Sequence, residues 1–279
     1  MTKKILVTTD FSDASKAGLH FAIQLASQHP FDLYFFHCYH LDGFASASET
    51  ETNLSNKSEG KKAQEKLERF VAKIYKGLDE VMPLGKCIVH PSVIVQSNIM
   101  EYAAVNRFDF ICISTRGAGK LDRFFGTNTA NIINQSKVPV IAVPHKCRSH
   151  KIKKILYASD MVNLDPELEK VISFAKPINA TVEILHFAFP LEDLLEASVA
   201  GRIAKKLGKM DIKVNLELLD PVRSLVSNIE SEVKKRRPSM MIMFTEQHRS
   251  FFQKLIFAGN SASYAYNPKV PLLVFNKPT

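Results

Sequence analysis

Ser114-Thr-Arg-Gly117-Ala-Gly119-Lys120-Leu-Asp-Arg-Phe-Phe-Gly126-Thr127-Asn128-Thr129-Ala130 follows the apolar run Phe108-Asp-Phe-Ile-Cys-Ile113. It leads, through Asn131-Ile-Ile-Asn-Gln-Ser-Lys137, into a second apolar run, Val138-Pro-Val-Ile-Ala-Val143. The two runs have the length of buried strands, and 131–137 reads as a short helix. Strand, glycine-bearing loop and helix start in that order suit an anion. Glycines let backbone N–H groups close on it, and Thr127, Asn128 and Thr129 bring capping oxygens and free amides to the helix N-terminus. Two phosphate patterns fail here. A Walker loop would place Ser114 where its first glycine belongs and Leu121 where its magnesium-binding hydroxyl belongs. The dinucleotide fingerprint fits Gly117 and Gly119 but meets Asp122 in place of its third glycine.

Working outward, Lys3–Asp10 reads as a strand, 13–26 as a helix with apolar residues at 19, 22, 23 and 25, and Asp32–Cys38 as a nearly all-apolar strand. From His40 to about Lys61 the chain turns to Ser, Thr, Glu, Asn and Gly and reads as a mobile loop. Lys62 to about Leu78 is expected to be a helix, Lys86–Val89 a strand and Ser97–Val105 a helix. Alternation of this kind argues a parallel sheet with helices on both faces.

At Lys151 the pattern restarts. Lys153-Lys-Ile-Leu-Tyr-Ala-Ser-Asp160 repeats Lys3-Lys-Ile-Leu-Val-Thr-Thr-Asp10, and Glu183-Ile-Leu-His186-Phe187 repeats Tyr34-Phe-Phe-His37-Cys38. The segment Arg237–Thr245 repeats Arg107–Thr115, Asn260-Ser261-Ala262 repeats Asn128-Thr129-Ala130, and Val270-Pro271 repeats Val138-Pro139. Two domains follow, 1–146 and 151–279, joined by a short polar linker.

With its terminal Gly126-Thr127 pair followed by Asn128-Thr129, and with Gly117 before them, the loop resembles the nucleotide loop of the universal stress protein family, in a tandem form that spans nearly the whole chain. That family's loop is written G-x-x-G, nine residues, then G-[ST]. Here Ser114 replaces the first glycine and eight residues separate Gly117 from Gly126. The resemblance implies two open, Rossmann-like α/β domains of the adenine nucleotide alpha hydrolase-like kind, each with a mostly parallel five-stranded sheet flanked by helices. It also implies ATP, with Mg2+, as ligand. Asp10 matches the acidic residue that meets the nucleoside, Cys38 the position that meets adenine, and Ser114, Gly117, Gly126, Thr127, Asn128 and Thr129 the phosphate loop. Finally, it implies that Val138–Val143 and Val270–Phe275 are edge strands pairing across a pseudo-twofold axis, so that the chain is its own dimer, with a further homodimer open.

In the second copy Phe244 stands at the position of Ser114, Ala258 at Gly126 and Gly259 at Thr127, with no glycine between Thr245 and Ala258. A loop without such residues closes less readily on a phosphate. Nucleotide binding is therefore expected in the first domain only.

Each candidate has a plainer reading. Asp10 can cap the turn at Phe11-Ser12, as Asp160 can in the other copy. Cys38 can be a small core residue, and the glycines can form a tight turn before a capped helix. His37 and His186 lie inside apolar strands and read as satisfied core histidines.

The chain has 279 residues, 46% of them hydrophobic and 23% charged, the composition of an ordinary globular protein. Four cysteines without C-x-x-C spacing argue against zinc and disulfides. No apolar run reaches the length of a membrane span, and Asp10 interrupts the first apolar run, so a cytoplasmic protein with no membrane partner is expected. The net charge of +9 raises nucleic acid as a partner. Its densest cluster, Lys234-Lys-Arg-Arg237, follows a helical pattern whose C-terminus favours cations, and no aromatic residues interleave with it, so no nucleic-acid partner is expected. Neither a nucleophile elbow, nor H-E-x-x-H, nor paired carboxylates occur, so weak ATP hydrolysis is the most expected of it as an enzyme. Two readings stand: a stress-response regulator with one adenine-nucleotide site, and a scaffold that binds no nucleotide and works through protein contacts.

Overall fold

The computed structural model describes residues 2–39, 49–83, 85–115, 127–147, 150–188, 212–218, 220, 222–245 and 270–276. The chain divides into two compact units, Met1–Ser149 and His150–Thr279.

In the first unit, β1 (Lys3–Thr8), α1 (Lys16–Gln28), β2 (Phe31–Tyr39), α2 (Glu49–Lys76), β3 (Cys87–Pro91), α3 (Val95–Val105), β4 (Phe110–Ser114), α4 (Thr127–Gln135) and β5 (Val140–Val143) follow in turn. The strands lie in the order β3-β2-β1-β4-β5, every pair parallel. The second unit contains β6 (Lys154–Ala158), α5 (Leu164–Ala175), β7 (Thr181–Ala188), β8 (Ile212–Leu218), α6 (Leu225–Arg236), β9 (Met240–Thr245) and β10 (Leu272–Asn276). Its order, β8-β7-β6-β9-β10, is the same topology, again all parallel. Each unit is thus an open α/β domain with a five-stranded parallel sheet.

Parallel strands covered on both faces are apolar along their length, and β4 and β9 are buried at every residue. Helix α1 packs Leu19, Phe21, Ala22 and Leu25 inward, and α5 does the same with Leu168, Val171 and Phe174. In each unit the strand order reverses beside the first strand, and ligands of open α/β sheets sit at the carboxyl ends of the strands flanking that reversal. In the first unit these are the ends of β1 and β4.

The structure corrects one sequence expectation. Residues 49–61 are not a loop but the first turns of α2, which runs for 28 residues. Their polar composition hid the helix, yet once a helix is nucleated each further residue adds a backbone hydrogen bond. Gly60, a poor helix former, sits where a Cβ would come within 3.0 Å of the Tyr39 hydroxyl, so it lets α2 pass close over β2. Residues 40–48 lie outside the described residues. Helix α4 also begins earlier than the pattern predicts, at Thr127.

Candidate functional site

Strand β1 ends in a turn that its own side chains hold. The Phe11 backbone N–H donates to the Thr9 hydroxyl at 3.0 Å, and the Asp10 carboxylate accepts from the Ser12 N–H at 3.0 Å and the Ser12 hydroxyl at 2.6 Å. Phe11 is thereby held at φ 64°, a left-handed conformation unusual for a bulky side chain. The second unit repeats the device: Met161 has φ 62°, its N–H donates to Ser159, and the Val162 N–H donates to Asp160. Asp10 is therefore an exposed turn cap. His37 joins β2 to this turn, its Nδ1 2.8 Å from the Thr9 carbonyl, as His186 Nδ1 is 2.9 Å from that of Ser159. Burial pushes the His37 pKa down, with the Thr9 hydrogen bond opposing and Lys66 reinforcing the shift, so the ring is neutral at pH 7 and donates to that carbonyl.

Ser114, at the end of β4, turns its hydroxyl toward α1. Its Oγ accepts from the Gly18 N–H at 2.9 Å and donates to the Ser15 carbonyl at 3.2 Å. A Cβ on Gly18 would stand 3.0 Å from that oxygen, so the slim Gly18–Ser114 seam lets α1 lie close on β4. In the second unit Phe244 holds the same register, pairing with Phe275 as Ser114 pairs with Val143. Its ring stacks on Phe275 at 5.2 Å and meets Tyr157 edge-on at 5.7 Å. Tyr157, fully buried, donates its hydroxyl to the buried Glu167 carboxylate. Where the first unit has small side chains, the second is filled.

Thr129, in the first turn of α4, donates its hydroxyl to the Ser114 carbonyl at 3.2 Å and so ties the helix start to the strand end. Asn128 beside it is exposed. Thr115 is fully buried, and its hydroxyl has no hydrogen-bond partner among the described residues. The second unit explains the gap. There Thr245 Oγ1 reaches Asn276 Oδ1 at 3.1 Å, whereas the residue after β5 is Pro144, which has no side-chain acceptor. A buried hydroxyl left unpaired is costly, and this one lies where the strand passes into the glycine-bearing loop, beside a helix N-terminus that favours anions.

Cys38 is half-buried, its thiol 3.5 Å from Asn98 Oδ1, and burial pushes its pKa up to about 12. It is an un-ionised thiol and no nucleophile. Asn98 in turn places Nδ2 2.9 Å from Nδ1 of His90. The four cysteines are free.

Of the residues singled out from sequence, Ser114 and Thr129 come together, Asp10 lies in the turn after β1, Cys38 near the end of the neighbouring β2, and Asn128 is exposed at the start of α4. Thr127 opens α4. Gly117 and Gly126 lie outside the described residues, as do Ala258, Gly259 and residues 260–262 of the other copy. Sequence reasoning missed Thr115, although its repetition as Thr245 was the available signal. It also missed Phe11, Asn98 and His90, which no spacing marks. Among the described residues, no cluster of His, Cys, Asp and Glu suits a metal ion, and no helix is long and apolar enough to cross a membrane.

The model of the universal stress protein family matches residues 1–144. Among solved structures, a universal stress protein from Archaeoglobus fulgidus DSM 4304 is 18% identical, with a TM-score of 0.70 over 99% of this chain and 98% of that one. A functionally unknown protein from Pseudomonas aeruginosa PAO1 is 14% identical, with a TM-score of 0.57 over 99% of this chain and 92% of that one. No curated protein matches.

Proposed function

Because the chain belongs to the universal stress protein family, we propose that it is a cytoplasmic stress-response regulator that binds an adenine nucleotide, ATP with Mg2+, in the first unit only. The observation that carries the reading is the contrast at the ends of the equivalent strands. Among the described residues, the buried Thr115 hydroxyl beside the start of α4 has no partner, while the second unit satisfies Thr245 with Asn276 and fills the neighbouring position with Phe244. In this reading Gly117, Gly126, Thr127, Asn128 and Thr129 hold the phosphates through backbone amides and the α4 N-terminus. Asp10 accepts from ribose hydroxyls, Cys38 lies against the base, and Ser114 positions α1 and α4 through its hydroxyl and carbonyl. When bound, the triphosphate would supply the negative charge that these amides and the α4 N-terminus accept.

A second reading, a scaffold that works through protein contacts without nucleotide, is favoured by the engagement of Ser114, Thr129 and Cys38 with other protein groups. Calorimetric titration of ATP and magnesium into nucleotide-stripped protein separates the two. Saturable binding at one site per chain, abolished by Gly126→Arg, is the expected result. Two sites would refute the restriction to the first unit, and no binding at millimolar ATP would leave the scaffold.

A further inference from the structure

Helix α2 carries Lys62, Lys66, Arg69, Lys73 and Lys76 at spacings of four, three, four and three residues. At 3.6 residues per turn these five fall within about 80° of arc, on one line along the helix. All five are exposed, while Leu67, Val71, Ile74 and Tyr75 on the opposite side are buried against the sheet. Surface cations on a helix usually meet carboxylates one turn away. Here, among the described residues, no ion pair joins any of the five to an acidic group. Glu68, on the same helix, accepts instead from Gln64 at 2.7 Å. Lys73 reaches an acid only at long range, adding weakly to the lowering of the Asp13 pKa that Lys16 causes.

We propose that this face of α2 binds single-stranded nucleic acid. The row is about 21 Å long at 1.5 Å per residue, with neighbouring cations about 5–6 Å apart, a track that a flexible phosphodiester strand can follow. At its upper end the row meets aromatic rings. Lys66 Nζ lies 4.4 Å from the centroid of Phe11, which stands 4.1 Å from His37 and 5.5 Å from Phe70. Phe11 and Phe70 are half-buried, and the left-handed backbone of Phe11 directs its ring into this cluster. A cationic track beside aromatic rings is the usual construction for holding a single strand, whose bases stack while its phosphates pair with lysines. A lipid surface is the poorer match, because the apolar face that an interfacial helix would insert is already packed on the sheet. The sequence argued against nucleic acid because no aromatics interleave with its basic cluster; in space, residues 11 and 70 stand beside residue 66.

The test is fluorescence anisotropy of a labelled oligo(U) of about 20 nucleotides with the full chain, between about 50 and 200 mM salt. If all five cations engage, the affinity falls about 100-fold over that range, at about 0.7 in log–log slope per cation. The Lys66→Gln/Lys73→Gln variant should reduce the slope by about 1.4. The control Lys153→Gln/Lys234→Gln, at exposed lysines of the second unit, should leave it unchanged. No binding at the lower salt overturns the proposal, as does equal weakening in the two variants. Binding of phosphatidylserine vesicles through the same lysines, without binding of the oligonucleotide, also overturns it, in favour of a membrane surface.

Discussion

Ser114 illustrates how one side chain can carry a packing role at a position read as part of a ligand loop. Its hydroxyl occupies space that Gly18 leaves open and serves both the N–H of Gly18 and the carbonyl of Ser15. Gly18→Ala should therefore destabilise the protein by about 1–3 kcal/mol through overpacking, and Ser114→Ala by about 1–2 kcal/mol through unpaired backbone groups. The double variant Gly18→Ala/Ser114→Ala should cost less than the sum, because the new methyl enters the space the hydroxyl vacates; denaturant melts of the four proteins measure the coupling. His37 makes a second prediction. Burial holds its folded-state pKa below the unfolded value of about 6.5, so the unfolded chain binds the proton more readily. Its contribution to stability is complete above about pH 6.5 and is lost as pH falls through the folded value. The melting temperature should fall between about pH 7 and 5, and His37→Gln should flatten part of that fall. A residual slope is expected, since burial and Lys16 push His20 the same way. An unchanged profile in the variant would contradict the assignment.

At the scale of elements, α6 shows how a helix is secured by its cap and by the cations of its last turn. Ser224 caps its first turn by accepting from the Ser227 N–H, and Arg237 ends it in a left-handed conformation. The 12%-exposed Arg236 side chain meets Glu232 on its own helix at 2.7 Å, Glu183 on β7 at 3.4 Å and Glu217 on β8. Lys235 also reaches Glu217 and Glu232, and together with Arg236 it pulls the Glu217 pKa down against the opposing effect of burial. Removing the cation from such a group strands partly buried carboxylates. Arg236→Ala should cost about 3 kcal/mol in chemical denaturation, with Arg236→Lys recovering only part because a single ammonium cannot match the planar fork. A cost below about 0.5 kcal/mol would mean that solvent screens the group after all.

For the whole molecule, two units of one topology differ in what they leave open. Among the described residues, the first has Ser114 and a Thr115 hydroxyl without a hydrogen-bond partner where the second has Phe244 and a Thr245–Asn276 pair. If nucleotide binds the first unit alone, saturating ATP with magnesium should slow amide hydrogen exchange at the end of β4 and in the first turn of α4, and leave β9 and β10 unchanged. A ligand at 100 times its Kd adds about 2.7 kcal/mol to the state that binds it, enough to be read amide by amide. Equal protection in both units would count against the one-site reading.

The parallel α/β order and its repetition at Lys151 were legible because they rest on local pattern: apolar runs of strand length, helical spacing, and five matched anchors in the same order. The residues that end β1, β2 and β4 were legible for the same reason. Residues 49–61 were not, because nothing in their polar composition shows that the helix behind them propagates across them. Contacts between residues far apart in the chain were equally hidden. Gly18 against Ser114, Pro144 near Thr115, Asn98 beside Cys38, and Phe11 beside Lys66 are separations of tens of residues that only the tertiary packing closes. The sequence by itself determined the elements and their order, since hydrophobic period and chain length govern those. The tertiary structure alone decided which polar groups are satisfied, because a hydrogen bond depends on distances that no local pattern encodes.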